Sequence, residues 1–250
     1  FEDATDMLNQ IIKDKVLKVE AVIGFWPANS DGDDIILFED STRARELSRL
    51  HFLRQQANKP SDQANLCLSD FVAPLDTEIV DFIGGFALTA GKGLEQIVSD
   101  YDVRKDDYNA ILVKAIADRL AEAFAEKLHE DVRKIYWGYS SNEHYSNEEL
   151  ISERYRGIRP APGYPACPDH TEKEALFSLL NATEKIDITL TSHYAMSPAA
   201  SVSGFYFSHP EARYFGLGKI NKDQVIEYGH RKMMSVEETE KWLRPNLLYK

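Results

Sequence analysis

Between Tyr155 and Lys173 four prolines, Pro160, Pro162, Pro165 and Pro168, interrupt a stretch that also carries Arg159, Gly163 and Tyr164. Proline fixes φ and removes the backbone donor, so the stretch can be neither helix interior nor central strand. It also pushes Arg159, Ala161, Tyr164 and Cys167 toward extended geometry. The segment is therefore an irregular, pre-stiffened loop, and the rest of the chain has to pack around it. A stiff backbone bearing one Arg, one Gly that permits close approach and one Tyr suits a small polar ligand, because ordering costs are met before binding. The plain alternative is a surface connection between helices. Length inside a compact domain favours function over mere connection, and the composition is not that of a disordered segment.

Local signals clamp both ends of this loop. Ser146 and Glu149 form a capping box that opens a short helix through Tyr155, with Glu153 at its end and hence at the lip of the loop. Thr171 and Glu174 form a second box, opening a helix to about Leu180.

Elsewhere the periodicities alternate between helix and paired strands. Ala4 to Lys15 carries a helical stripe, and opening directly within it the sequence reads as part of a longer polypeptide. Val19 to Phe38 is a hairpin around the turn cluster Asn29–Asp34, whereas Arg43 to Leu53 suits strand or helix equally. Asn58 to Asn65 is a loop. Leu66 to Pro74 and Ile79 to Thr89 are expected strands, the first ending near Asp70. The longest periodic segment runs from Asp107 to about Val132, with Ile111, Leu112, Ala115, Ile116, Ala123, Phe124 and Leu128 as its apolar face. Asp118, Glu122 and Glu126 stack along it at i, i+4 spacing, a like-charge column costing a few tenths of a kcal/mol per pair. Such a column is either a solvated face or a wall suited to an ammonium, a sulfonium or a protonated imidazole. Ile135 to Tyr139 reads as a strand or a helix exit. Ile186 to Tyr194 is an expected strand, Val202–Phe207 with Tyr214–Leu217 an expected hairpin, and Asn221–Lys232 and Ser235–Leu243 two closing helices. Strands that come in hairpins predict an α+β fold, a twisted and largely antiparallel sheet with flanking helices in a single domain.

Composition excludes several function classes. A net charge of -12 argues against a nucleic-acid surface, which needs clustered Lys and Arg. No apolar run approaches the roughly 20 residues of a membrane span, so a cytoplasmic protein without a membrane partner is expected. Cys67 and Cys167 lack disulfide-scaffold or zinc spacing and are expected as free thiols. None of the seven histidines falls in a metal-binding spacing, so no metal is expected. Neither a P-loop, a dinucleotide fingerprint nor a serine-hydrolase elbow occurs.

Arg159-Pro160-Ala161-Pro162-Gly163-Tyr164-Pro165, with flanking Gly157, Cys167 and Asp169 to Lys173, closely resembles the AdoMet-binding motif of the C-terminal reactivation domain of cobalamin-dependent methionine synthase. Gln55, Leu68–Pro74, Asp107–Glu126, Tyr136–Tyr139, Val202–Pro210 and Trp242–Leu247 also look like that family, so the resemblance covers nearly the whole chain. It implies a module of a methyltransferase that binds S-adenosylmethionine (AdoMet) and presents it to cobalamin held by a neighbouring domain of the same polypeptide. An external flavodoxin-like or diflavin reductase first reduces the inactive cobalamin. Carried over by resemblance, AdoMet contacts would be Arg159, Ala161, Gly163 and Tyr164 in the loop, Glu122 on the long helix, Glu153 at the lip, and Tyr214 with Phe215. Asp118 would face the cobalamin side, and no residue would act as a catalytic nucleophile. The family's domain also carries an N-terminal Asp-Trp-x-Pro-Phe-Phe segment that nothing here matches, so residues 1–250 are expected to be an N-terminally truncated fragment of a multidomain chain. The competing readings are an AdoMet-independent interaction scaffold and a small hydrolase using Asp70, His170 and Glu172, with Cys167 the local candidate nucleophile.

Overall fold

A computed structural model describes residues 2–249. The chain begins with helix α1 (Glu2–Asp14), then folds strands β1 (Lys18–Asp31) and β2 (Asp34–Phe38) into a hairpin. The turn pairs Asp31 with Asp34, and Gly32 takes the φ of +62° that a tight connection demands. Strand β3 (Glu46–His51) settles the ambiguity of Arg43–Leu53 in favour of strand. After β4 (Asp81–Lys92) come α2 (Leu94–Val103), α3 (Asp107–Asp131), α4 (Asn147–Ile151), α5 (Glu172–Leu180) and α6 (Ala182–Ile186). The chain closes with β5 (Thr189–Leu190), β6 (Met196–Ser197), β7 (Ser201–Tyr206), α7 (Lys222–Arg231) and α8 (Val236–Leu243).

The main sheet has order β3-β2-β1-β4-β7 with every neighbour antiparallel, the expected α+β class. Strand β4 is covered on both faces, so its sequence is apolar almost throughout. Phe86 and Leu88 pack with Ala121, Ala125 and Leu128 of α3, while Ile83 and Ala87 join the layer containing Leu176 and Leu180 of α5. The proline loop completes the sheet. Ile158 exchanges both backbone bonds with Phe207, and the Phe205 amide donates to Pro160 O at 2.9 Å, so the loop's first limb lies along the outer edge of β7.

That edge pairing explains one failed expectation. Tyr214–Leu217 does not pair with β7, because Ile158–Pro160 already occupies its outer edge; instead the Leu217 amide donates to Pro165 O. Leu66–Pro74 is not a strand either. Leu68–Phe71 forms a 3-10 turn, closed by the Asp70 carboxylate accepting from the Cys67 amide. Ile186–Tyr194 is broken at Asp187 and Tyr194, both with positive φ, leaving only Thr189–Leu190 paired. Helix α3 forms where expected, capped by Asp106, and Ile116 and Leu128 of the expected face are buried, but the face is shifted: Ala110, Val113, Ala117, Ala121 and Ala125 are also inside, while Ile111 is 67% exposed. Alanines let the helix axis approach the sheet closely, a contact that counting large apolar residues misses. Residues Ile135–Tyr139 are a helix exit: α3 runs into a π-helical turn, Val132–Tyr136, where the Trp137 amide reaches Val132 O. No helix among the described residues is long and apolar enough to cross a membrane.

Candidate functional site

Helix α3 and the proline loop form opposite walls of a cavity of about 980 Å³, closed by the segment entering β7 and by Tyr214 and Phe215. That volume is at the upper end of the range for small-molecule sites, on the order of 300–1,000 Å³. The loop holds its shape through its own backbone: the Gly163 amide donates to Cys167 O at 2.7 Å and the Cys167 amide to Tyr164 O at 2.9 Å. Gly163 is required twice, since its φ is +95° and a Cβ there would collide with the His170 ring. The second capping box fails at this end. The Thr171 hydroxyl donates to Asp169, and it is the Asp169 carboxylate that receives the Thr171 amide.

Arg159 is the most constrained group in the cavity wall. Its Nη1 donates to Tyr155 Oη at 2.8 Å and to His129 Nδ1 at 3.2 Å, and its Nη2 donates to Glu126 Oε2 at 2.7 Å. A guanidinium carries five N–H groups, so Nε–H and the second Nη2–H have no protein partner among the described residues. The Arg159 amide donates to Tyr214 Oη at 3.0 Å, which ties the tyrosine to the loop. Burial opposes the Arg159 charge, but Tyr155, Tyr214 and Glu126 outweigh it and keep the guanidinium protonated. The other oxygen of Glu126, Oε1, is buried without a partner among the described residues, and Glu126 itself is the inner member of the carboxylate column. Burial likewise pushes the Tyr214 hydroxyl up, so it stays neutral.

The arrangement sets Arg159, Arg119 and Lys173, two cavity-wall carboxylates at Asp118 and Glu122, and aromatic faces around a preformed space. The sequence profile of a family described as vitamin B12 dependent methionine synthase, activation domain, matches residues 1–233. The chain belongs to this family. The crystal structure of a MetH reactivation domain bound to AdoHcy superposes with a TM-score of 0.97 at 53% identity, covering 100% of this chain and 77% of that one.

Within this methionine synthase activation domain, Arg159, Ala161, Tyr164, Glu122, Tyr214, Phe215 and Asp118 all line the cavity. Gly163 shapes the loop from behind, and Glu153 lies outside the lining. Glu153 does not end a helix running to Tyr155. Helix α4 stops at Ile151, and Glu153 follows with φ of +53°, near enough that its charge raises the Tyr214 hydroxyl further. Glu122 pairs with Arg119 at 2.6 Å on an exposed stretch of α3.

The residues of the hydrolase reading do not converge. Asp70 takes two bonds from Arg54, Glu172 is buried against Lys232 and the His51 amide, and burial pushes the Cys167 thiol well above its ordinary range. Sequence reasoning missed His129 and Tyr155, which hold Arg159, and it missed Lys173. That lysine lines the cavity at 7% exposure, donating to His170 Nδ1 and Tyr194 O, with burial lowering its pKa. Its position inside the motif was its only signal; His129 gave none, being one more polar residue on a long helix.

Proposed function

We propose that this activation domain binds AdoMet in the cavity and presents its methyl group to cobalamin carried by a neighbouring domain of the same polypeptide, during reductive reactivation. The observation that carries the reading is the guanidinium of Arg159, fixed in the wall of a cavity of suitable size with Nε–H and one Nη2–H unpaired among the described residues. A planar fork of this kind matches a carboxylate two-prong, and the methionyl end of AdoMet offers one. The solved relative bound to AdoHcy supports the same ligand class.

Residue roles follow from charge and shape. Arg159 takes the ligand carboxylate. The backbone around Ala161, Gly163 and Tyr164 offers amides and carbonyls to a purine edge. Glu122 favours the ammonium and sulfonium, and the faces of Tyr214 and Phe215 attract the cationic sulfur. Asp118, one turn beyond Glu122, faces the docking side for cobalamin. Bound AdoMet supplies an electrophilic methyl on a positively charged sulfur; the protein supplies orientation and exclusion of water. The electron comes from a flavodoxin-like or diflavin reductase, and both it and the cobalamin domain belong to the assembled enzyme in a cytoplasmic setting. An interaction scaffold would have no use for a prepaired arginine in a cavity.

Calorimetric titration of the chain with AdoMet and AdoHcy tests this directly. Arg159→Ala is expected to weaken both by roughly 2–4 kcal/mol, since one partner of a largely desolvated charge pair is removed. Arg159→Lys should recover only part of this, because an ammonium cannot reproduce the fork. Unchanged AdoHcy affinity in a folded Arg159→Ala protein would remove the assignment.

A further inference from the structure

We infer that His129 is a positioning residue for ligand recognition: its Nδ1 accepts from Arg159 and turns the unused edge of the guanidinium toward the ligand carboxylate. The inference rests on the reading that Arg159 takes that carboxylate. Arginine only donates, so the 3.2 Å contact from Arg159 Nη1 requires Nδ1 to be a bare acceptor. The proton then sits on Nε2, which faces Tyr139 Oη at 3.5 Å. The ring has no freedom to choose another arrangement. It lies parallel to Tyr206 (centroids 5.1 Å, 18°) and edge-on to Tyr155 (5.1 Å, 84°), and it is fully buried. Tyr206 stacks in turn on Phe86, whose ring reaches the cavity.

A fully buried imidazole among aromatic rings is an expensive choice where phenylalanine would pack. The acceptor nitrogen is the one property that phenylalanine lacks. Burial, reinforced by the charges of Arg133 and Arg159, holds the imidazole well below its ordinary 6.5, so it remains neutral and able to accept. A protonated ring here would repel Arg159 from its seat. Tyr155 Oη and Glu126 Oε2 fix the guanidinium from two other directions, and His129 supplies the third point that sets its plane.

The test compares AdoHcy with 5′-methylthioadenosine, which keeps the nucleoside and lacks the amino-acid tail. In calorimetric titrations of the chain, His129→Phe is expected to weaken AdoHcy about tenfold and leave 5′-methylthioadenosine unchanged, the loss of one charge-assisted bond. His129→Asn should restore most of the affinity, because its side-chain oxygen can occupy the place of Nδ1. His129→Gln, whose amide reaches the place of Nε2 instead, should not. If His129→Phe does not fold, the Asn and Gln variants carry the comparison, with AdoHcy about fivefold tighter in Asn. Equal AdoHcy affinities in Asn and Gln, or equal losses for both ligands, overturn the role. Arg159→Ala run alongside separates the two levels. If it leaves AdoHcy binding intact, the carboxylate reading fails; if it weakens binding while His129→Phe does not, only the positioning role fails.

Discussion

Two buried ionic clusters hold the two ends of the same proline loop, and they are finished differently. At the far end, Asp169 accepts from the Thr171 amide and hydroxyl, from Tyr228 Oη at 2.7 Å and from Lys232 Nζ at 2.9 Å. Lys232 also reaches Glu172 at 2.6 Å, and Glu172 receives the His51 amide. Every oxygen and the ammonium have partners, so the cluster closes on itself and pins α7 to the loop. At the near end, Arg159 keeps free N–H groups, and buried Glu126 Oε1, Tyr206 Oη and both terminal nitrogens of Arg133 lack partners among the described residues. Arg133 makes up part of the loss by stacking 4.0 Å over the Tyr155 ring and bonding Glu143. Completed networks rigidify, whereas incomplete ones carry a standing cost that a ligand can relieve. The contrast separates a closed structural rivet from a cavity wall left partly unsatisfied.

The largest effect should come from breaking the rivet. Lys232→Met leaves Asp169 and Glu172 buried without their cation, which costs roughly 3–5 kcal/mol and lowers the melting temperature by about 6–20 °C. AdoHcy affinity measured below that transition should persist; its collapse there would show that the two clusters act as one. Tyr155→Phe is the mirror experiment. It removes one acceptor from Arg159 and should reduce AdoHcy affinity by about 1.5 kcal/mol with little change in melting temperature.

The clusters should also respond differently to pH. The unfolded chain protonates His129 as pH falls below 6.5 while the native ring stays neutral, so stability is full above 6.5 and declines below it, by up to about 1.4 kcal/mol per unit for one proton. His170, lowered by burial, adds in the same sense, and Glu172, raised by burial, acts oppositely above 4.5. The readout is therefore the difference in denaturation free energy between the native protein and His129→Asn from pH 7.5 to 5; identical slopes would contradict the buried neutral ring. Burial works against the Asp169 carboxylate, but Lys232 and its hydrogen bonds hold it below its ordinary 3.8, so that part of the rivet loosens only as pH drops under 3.8. The smallest effect is expected at Glu122→Gln. Its side chain is 60% exposed, so AdoHcy binding should fall by no more than about 1 kcal/mol without a change in melting temperature. A higher melting temperature with unaltered binding would make the outer column an ordinary wet helix face. Asp118→Asn should leave AdoHcy titrations intact.

Much of this was legible because it is local. Four prolines defined the loop, Ser146 and Glu149 form the capping box their spacing announces, and the N-terminal hairpin follows from its turn cluster. What escaped depends on partners distant in sequence. The buried face of α3 is made by alanines chosen for proximity to Phe86 and Tyr206, and the failure of Tyr214–Leu217 to pair depends on Ile158 arriving first at β7. Helix α2 was not anticipated at all. The resemblance named the loop residues, but His129 and Tyr155 enter the site only once α3 and the exit of α4 are brought together around Arg159.

The loop's limb along β7 constrains how traffic reaches the cavity. If the loop swung away as a lid, the amides of Phe205 and Phe207 would lose their acceptors and a hydrophobic strand margin would stand open to self-association. The loop wall of the cavity is thus also the selvedge of the sheet, and it cannot serve as a door.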